Sequence, residues 1–135
     1  MSVIVSTNKL GTMTYSHESK IMFVEFRGIV EPELAMEHFN SILEFASSNQ
    51  IIGILADLTR LRGSYIKFFD FFQENAYPQL IKGGLKAHST SVSDDLIIEN
   101  ISLKLKDLHK VMGIESRVFL DDEKAQRWLE AKLKS

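Results

Sequence analysis

Cysteine is absent from the 135 residues, which excludes thiol catalysis, iron–sulfur ligation and zinc-thiolate sites and fits a reducing compartment. An excess of either charge is also missing: 16 Lys and Arg face 18 Asp and Glu, a formal net charge of −2. A chain so balanced carries no broad basic field for nucleic acid or an anionic membrane surface. No stretch approaches the ~18 consecutive apolar residues of a membrane span. Residues 1–10 lack the basic head and apolar core of an export signal, so a cytoplasmic location is expected. Proline occurs twice and glycine seven times, with no low-complexity tract or repeat to suggest a linker. What the chain does have is core material, including nine Phe, three Tyr and one Trp. That suffices for one domain, residues 1–135, which needs no metal or disulfide to fold.

Hydrophobic periodicity gives the element order. Met13 and Tyr15 alternate with Thr12, Thr14 and Ser16; after a polar turn, Met22, Val24 and Phe26 alternate with Glu25 and Arg27. Period two on both sides of a short link predicts a hairpin. Pro32 stands where a first helical turn tolerates it, and Ala35, Phe39, Ile42, Leu43 and Ala46 follow at helical spacing. Residues 51–58 form an apolar run suited to a central strand covered on both faces. Residues 59–63 read as a loop, and Ser64 as the N-cap of a second helix. Its inner stripe is Tyr65, Phe68, Phe69, Phe72 and Ala76, and Pro78 is expected to break it. Residues 85–92 read as a polar fourth strand. Ser93, Asp94 and Asp95 then cap the longest helix, with Ile97, Ile98, Ile101, Leu105, Leu108 and Met112 inward and Gly113 as its C-cap. A last strand, residues 117–120, and a last helix capped by Asp121 close the chain. The order ββαβαβαβα predicts an α/β fold with a five-stranded, mixed but mostly parallel sheet and right-handed crossovers.

The closing segment Arg117-Val118-Phe119-Leu120-Asp121-Asp122-Glu123-Lys124-Ala125-Gln126-Arg127-Trp128-Leu129 resembles the ending of SpoIIAA-like proteins of the STAS and CRAL-TRIO grouping. These finish with a strand ending in Phe, an acidic turn and an Ala-x-x-Trp-Leu helix. Phe26-Arg27-Gly28, the Pro-containing helix start and Ile54-Leu55-Ala56-Asp57-Leu58 agree with the front of that pattern. The resemblance implies an open sheet wound as a right-handed β-α superhelix with one helical layer. The resemblance itself says little about activity; the first expectation is a non-enzymatic regulatory or protein-interaction domain acting as a homodimer, and the CRAL-TRIO kinship suggests, alternatively, a carrier or sensor of a small apolar or amphipathic ligand. One departure stands out. Anti-sigma-factor antagonists of this fold carry an Asp-Ser-Ser-Gly phosphorylation motif, where this chain has Leu61-Arg62-Gly63-Ser64-Tyr65-Ile66. Switching by a phosphate on Ser64 is therefore not implied, although a helix N-terminus would suit one.

Catalytic signatures are missing. There is no G-x-S-x-G, no P-loop, no G-x-G-x-x-G and no EF-hand loop, so no catalytic residue and no cofactor is expected. His17-Glu18 begins an H-E-x-x-H, but Ile21 stands at the second ligand position. His17, His38, His88 and His109 fall on different elements, without the spacing that converges on a metal. His38 and His109 read as helix-flank residues. His88 is expected on a solvated sheet face with Lys86 and Thr90, facing the same way as Glu25 and Arg27. An enzyme would require it to meet Ser64 or Asp57.

Two surfaces are candidates for binding. Open α/β sheets hold ligands beyond their strand carboxyl ends near a topological switch point, which nominates Asp57, Arg60, Arg62, Ser64, Ser91 and Ser93, with helix N-termini available to an anion. The second is the aromatic helix, where Ile66 and Phe71 flank a stripe holding Phe68 and Phe72. A helix apolar nearly all round demands burial on more than one face, and each buried Phe is worth ~1.5–3 kcal/mol. Loop cover, a homodimer or an apolar ligand beneath it would each answer that demand. Self-association, or contact with another regulatory protein, is the first expectation.

Overall fold

The structure is a computed structural model and describes residues 1–134. Six strands form one sheet in chain order: β1 (Ser2–Asn8), β2 (Gly11–Ser16), β3 (Ile21–Ile29), β4 (Gly53–Arg62), β5 (Ala87–Ser91) and β6 (Glu115–Phe119). β1 to β3 are an antiparallel meander, and β3 to β6 run parallel. Each parallel crossover steps the same way along the sheet, so the right-handed rule places all their helices on one face. These are α1 (Pro32–Ala46), a composite helix over residues 66–82, and α4 (Leu96–Val111).

The expected hairpin, central strand and parallel crossovers are all present, with one strand more than the sequence suggested. β1 escapes the alternation test because a bulge between Ile4 and Ser6 interrupts its period. β4 also outruns expectation, absorbing the supposed loop through Arg62. Its pairing with β3 slips between Glu25 and Arg27, and the Asp57 carboxylate holds the irregularity by accepting from the Thr59 amide at 3.0 Å and hydroxyl at 2.7 Å. The slip turns Leu58 and Leu61, three residues apart, toward the same interior.

A lone helical layer is corrected too. α5 (Asp122–Lys134) crosses to the opposite face, where Ala125 and Leu129 pack on Ile21, Leu55 and Ala87, with Trp128 half-buried beside Phe119. Small polar residues of β5 seat it: Ser89 Oγ donates to the Ala125 carbonyl and Ser91 Oγ to the Asp122 carboxylate, each at 2.9 Å. Covered on both faces, β5 is buried throughout despite its polarity.

The starts of α1, α4 and α5 follow the sequence, whereas Tyr65, not the expected Ser64, holds the N-cap position of the composite helix, with no side-chain cap. Pro32 opens α1, Asp95 receives the Ile97 and Ile98 amides, Asp121 receives those of Glu123 and Lys124, and Gly113 follows α4 at φ 86°. Ile97, expected inside, points to water. Pro78 does not end the second helix. A 3-10 turn (Ile66–Phe68), α2 (Phe69–Phe71), a π turn (Phe72–Ala76) and α3 (Tyr77–Lys82) follow without a gap. Proline offers no N–H and collides with the carbonyl four residues back. Widening the preceding turn relieves this, and the Tyr77 amide bonds Phe72 O, five residues earlier. Among the described residues no helix is long and apolar enough to cross a membrane.

Candidate functional site

The helical face of the sheet and the composite helix line a partly open cavity of about 100 Å³. Its floor is Met13, Val24, Ile54, Ala56 and Leu58; α1 contributes Ala35, Phe39 and Ile42, and α4 contributes Leu105. Phe68, Phe72, Ala76 and Tyr77 form the roof. Phe72 and Tyr77, five apart, share this inner face because the π turn lengthens the repeat. Alanines at 35, 56 and 76 leave unfilled the space that larger side chains would take. Phe39 holds the roof down, its ring 5.2 Å from Phe68, 5.1 Å from Phe72 and 6.1 Å from Phe71.

One end of this apolar space is polar. β5 sends His88 and Thr90 into it, and Tyr65 and Tyr77 border it. Thr90 Oγ1 and His88 Nδ1 are 3.2 Å apart. The His88 ring lies 4.4 Å from that of His109, which meets Tyr77 edge-on at 4.6 Å. His109 Nδ1 bonds Ser116 Oγ at 2.8 Å, while its Nε2 is buried without a partner. Tyr65 shares a hydrogen bond of 2.7 Å with Ser102. Desolvation pulls His88 down to about 4, and desolvation together with neighbouring His88 pulls His109 down to about 2. Burial drives both tyrosines well above their ordinary value. All four are uncharged at neutral pH, and no acidic side chain, Lys or Arg lines the cavity.

The first set of candidate residues does not converge. The strands stand in chain order, so the sheet has no topological switch point and no crevice of that kind. Asp57 and Ser91 are register partners on the α5 face, where Ser91 is taken up by Asp122. Arg60 is exposed. Arg62 reaches Asp95 at 3.9 Å, and Ser64 and Ser93 each accept a local amide at 3.3 Å. Among the described residues no group of His, Asp or Glu could hold a metal ion.

The second set is largely internal. Phe68 and Phe72 are buried cavity liners and Phe71 is half-buried on Phe39, which leaves Ile66, 43% exposed, on the outside. His88 is corrected as well. It is 4% exposed and aligned with Ile54 and Met22, so Glu25 and Asp57 lie on the other face of the sheet. It therefore meets neither Asp57 nor the exposed Ser64. His38 and His109 are wholly buried rather than flanking. His38 ties α1 to β1 through Asn8 Oδ1 at 2.8 Å. His109 was detectable, since it continues the spacing of Ile98, Ser102 and Leu105 along α4. Tyr77 was hidden by the adjacent proline.

No protein-family model matches the sequence, and no curated protein shows significant similarity to it. Among solved structures, an uncharacterized protein of the DUF3478 family with a SpoIIAA-like fold, from Shewanella loihica PV-4, matches with a TM-score of 0.50. The two share 19% identity over 95% of this chain and 93% of the other. Six strands in sequential order, parallel from the third onward and wound with helices, agree with that neighbour and with the sequence motifs: the chain has a SpoIIAA-like fold.

Proposed function

We propose that this protein is a non-enzymatic carrier or sensor that holds a small, largely apolar molecule between its composite helix and its sheet. The supporting observation is the apolar, partly open cavity of about 100 Å³. Protein interiors are close-packed, and a void of this size left empty costs about 2 kcal/mol at the usual ~24 cal/mol per Å³. The space is smaller than the ~150 Å³ apolar cavity that admits benzene, so its occupant is no larger than a single small ring or a short chain. The composite helix is the natural lid, because its π turn is a break in regular hydrogen bonding where a helix can flex.

Titration with benzene, followed by methyl NMR shifts of Ile54, Leu58 and Leu105, tests this reading. Saturable shifts confined to the cavity, abolished by Ala56→Leu, are expected; no shift up to the solubility of benzene refutes it. Self-association is a second reading, favoured by Ile66, Leu96 and Ile97, which are 43%, 68% and 56% exposed. Light scattering decides it: a monomer at tens of micromolar, unchanged by Ile66→Glu, rules it out.

A further inference from the structure

We infer that the cavity selects an uncharged molecule bearing one hydroxyl-type head, seated against His88 and Tyr77. This rests on the cavity being a ligand site and adds the chemical class of the ligand. The argument starts on β5. Of its four buried polar side chains, Ser89 is satisfied by Ala125, Ser91 by Asp122 and Thr90 by His88. His88 alone keeps an open position, because Thr90 engages Nδ1 and no described residue bonds Nε2. The Tyr77 hydroxyl likewise has no hydrogen-bond partner among the described residues. Both side chains are more than nine-tenths buried, both line the cavity, and their rings are 6.4 Å apart. Two open polar groups thus border the same end of an otherwise apolar space.

Neither atom is sealed off, so both can take a partner from within the cavity, and each hydrogen bond made to a correctly placed head group is worth ~0.5–1.5 kcal/mol. Carboxylate and ammonium heads are excluded, since nothing lining the cavity offers the compensating charge that burial of an ion demands. Thr90 can orient its hydroxyl either way, so His88 Nε2 is presented as donor or acceptor according to tautomer. A hydroxyl both donates and accepts, and it matches His88 in either tautomer as well as the Tyr77 hydroxyl. A carbonyl could only accept.

Isothermal titration of the full chain with phenol, toluene and benzoate tests the inference. In a purely apolar void toluene wins, because the phenol hydroxyl would be buried unpaired. Here phenol should bind at least as tightly as toluene, and benzoate should not bind. Tyr77→Phe and His88→Leu should each weaken phenol by about tenfold, one hydrogen bond's worth, while leaving toluene nearly unchanged. Should His88→Leu fail to fold, Tyr77→Phe and the ranking on the natural chain still decide. Toluene binding without phenol, or phenol binding indifferent to both variants, overturns the hydroxyl inference and leaves the cavity reading standing. Failure of both neutral probes overturns the cavity reading itself.

Discussion

Acidification should destabilise this domain well before its carboxylates begin to titrate. His88 and His109 are buried with their rings 4.4 Å apart, held down to about 4 and about 2 respectively, against ~6.5 in an unfolded chain. Because the folded values are depressed, the stabilisation is complete above ~6.5 and drains away as pH falls through it, the unfolded chain taking up protons that the native one refuses. Each histidine withdraws ~1.4 kcal/mol per pH unit below that point. Near pH 5 each therefore removes about 2 kcal/mol, roughly 4 kcal/mol for the pair, from a stability of ~5–15 kcal/mol typical of domains. His38, also lowered by burial, acts in the same direction. Calorimetry should show Tm falling by about 10–20 °C between about pH 7.5 and about pH 5 for a domain of this size. The double substitution His88→Leu with His109→Leu should flatten that slope whatever it does to absolute stability. A Tm constant to within about 3 °C over the window, or a full slope surviving in the double variant, would refute the reasoning.

Two glycines separate close approach from backbone conformation. A methyl group at Gly11 would stand 1.9 Å from the Glu25 carbonyl oxygen, whereas at Gly28, φ 80°, it would meet nothing within 4 Å. Urea midpoints should place Gly11→Ala beyond ~3 kcal/mol of destabilisation and Gly28→Ala near the ~1–2 kcal/mol of left-handed strain alone. Asp95→Ala removes the acceptor of two amides at the start of α4. It should cost ~1 kcal/mol by the same measurement, and Asp95→Asn should restore most of it.

The elements written in short-range chemistry were legible. The alternation of Met22, Val24 and Phe26, the apolar run of β4, Pro32, Asp95, Asp121 and Gly113 all do what local physics demands of them. Polarity was misleading where burial depends on distant partners. Ser89 and Ser91 look like solvent-facing residues until α5, more than thirty residues on, supplies the Ala125 carbonyl and the Asp122 carboxylate. The tail of β4 looked like a loop because Asp57 and Thr59 hold a bulge that no periodicity registers. The aromatic helix was rightly marked as needing cover on several sides, but α1 provides much of it through Phe39. The cavity itself lay beyond the sequence. It arises where alanines from three separate elements happen to meet.

The sheet order bears on how the chain assembles. Every strand pairs with its predecessor in sequence, so none must be threaded between two that have already joined, and loop-closure entropy stays small at each step. During synthesis the layer can grow outward from the first meander as segments leave the ribosome. The pocket gains the last of its lining residues only when Leu105 arrives, well after the strands that form its floor.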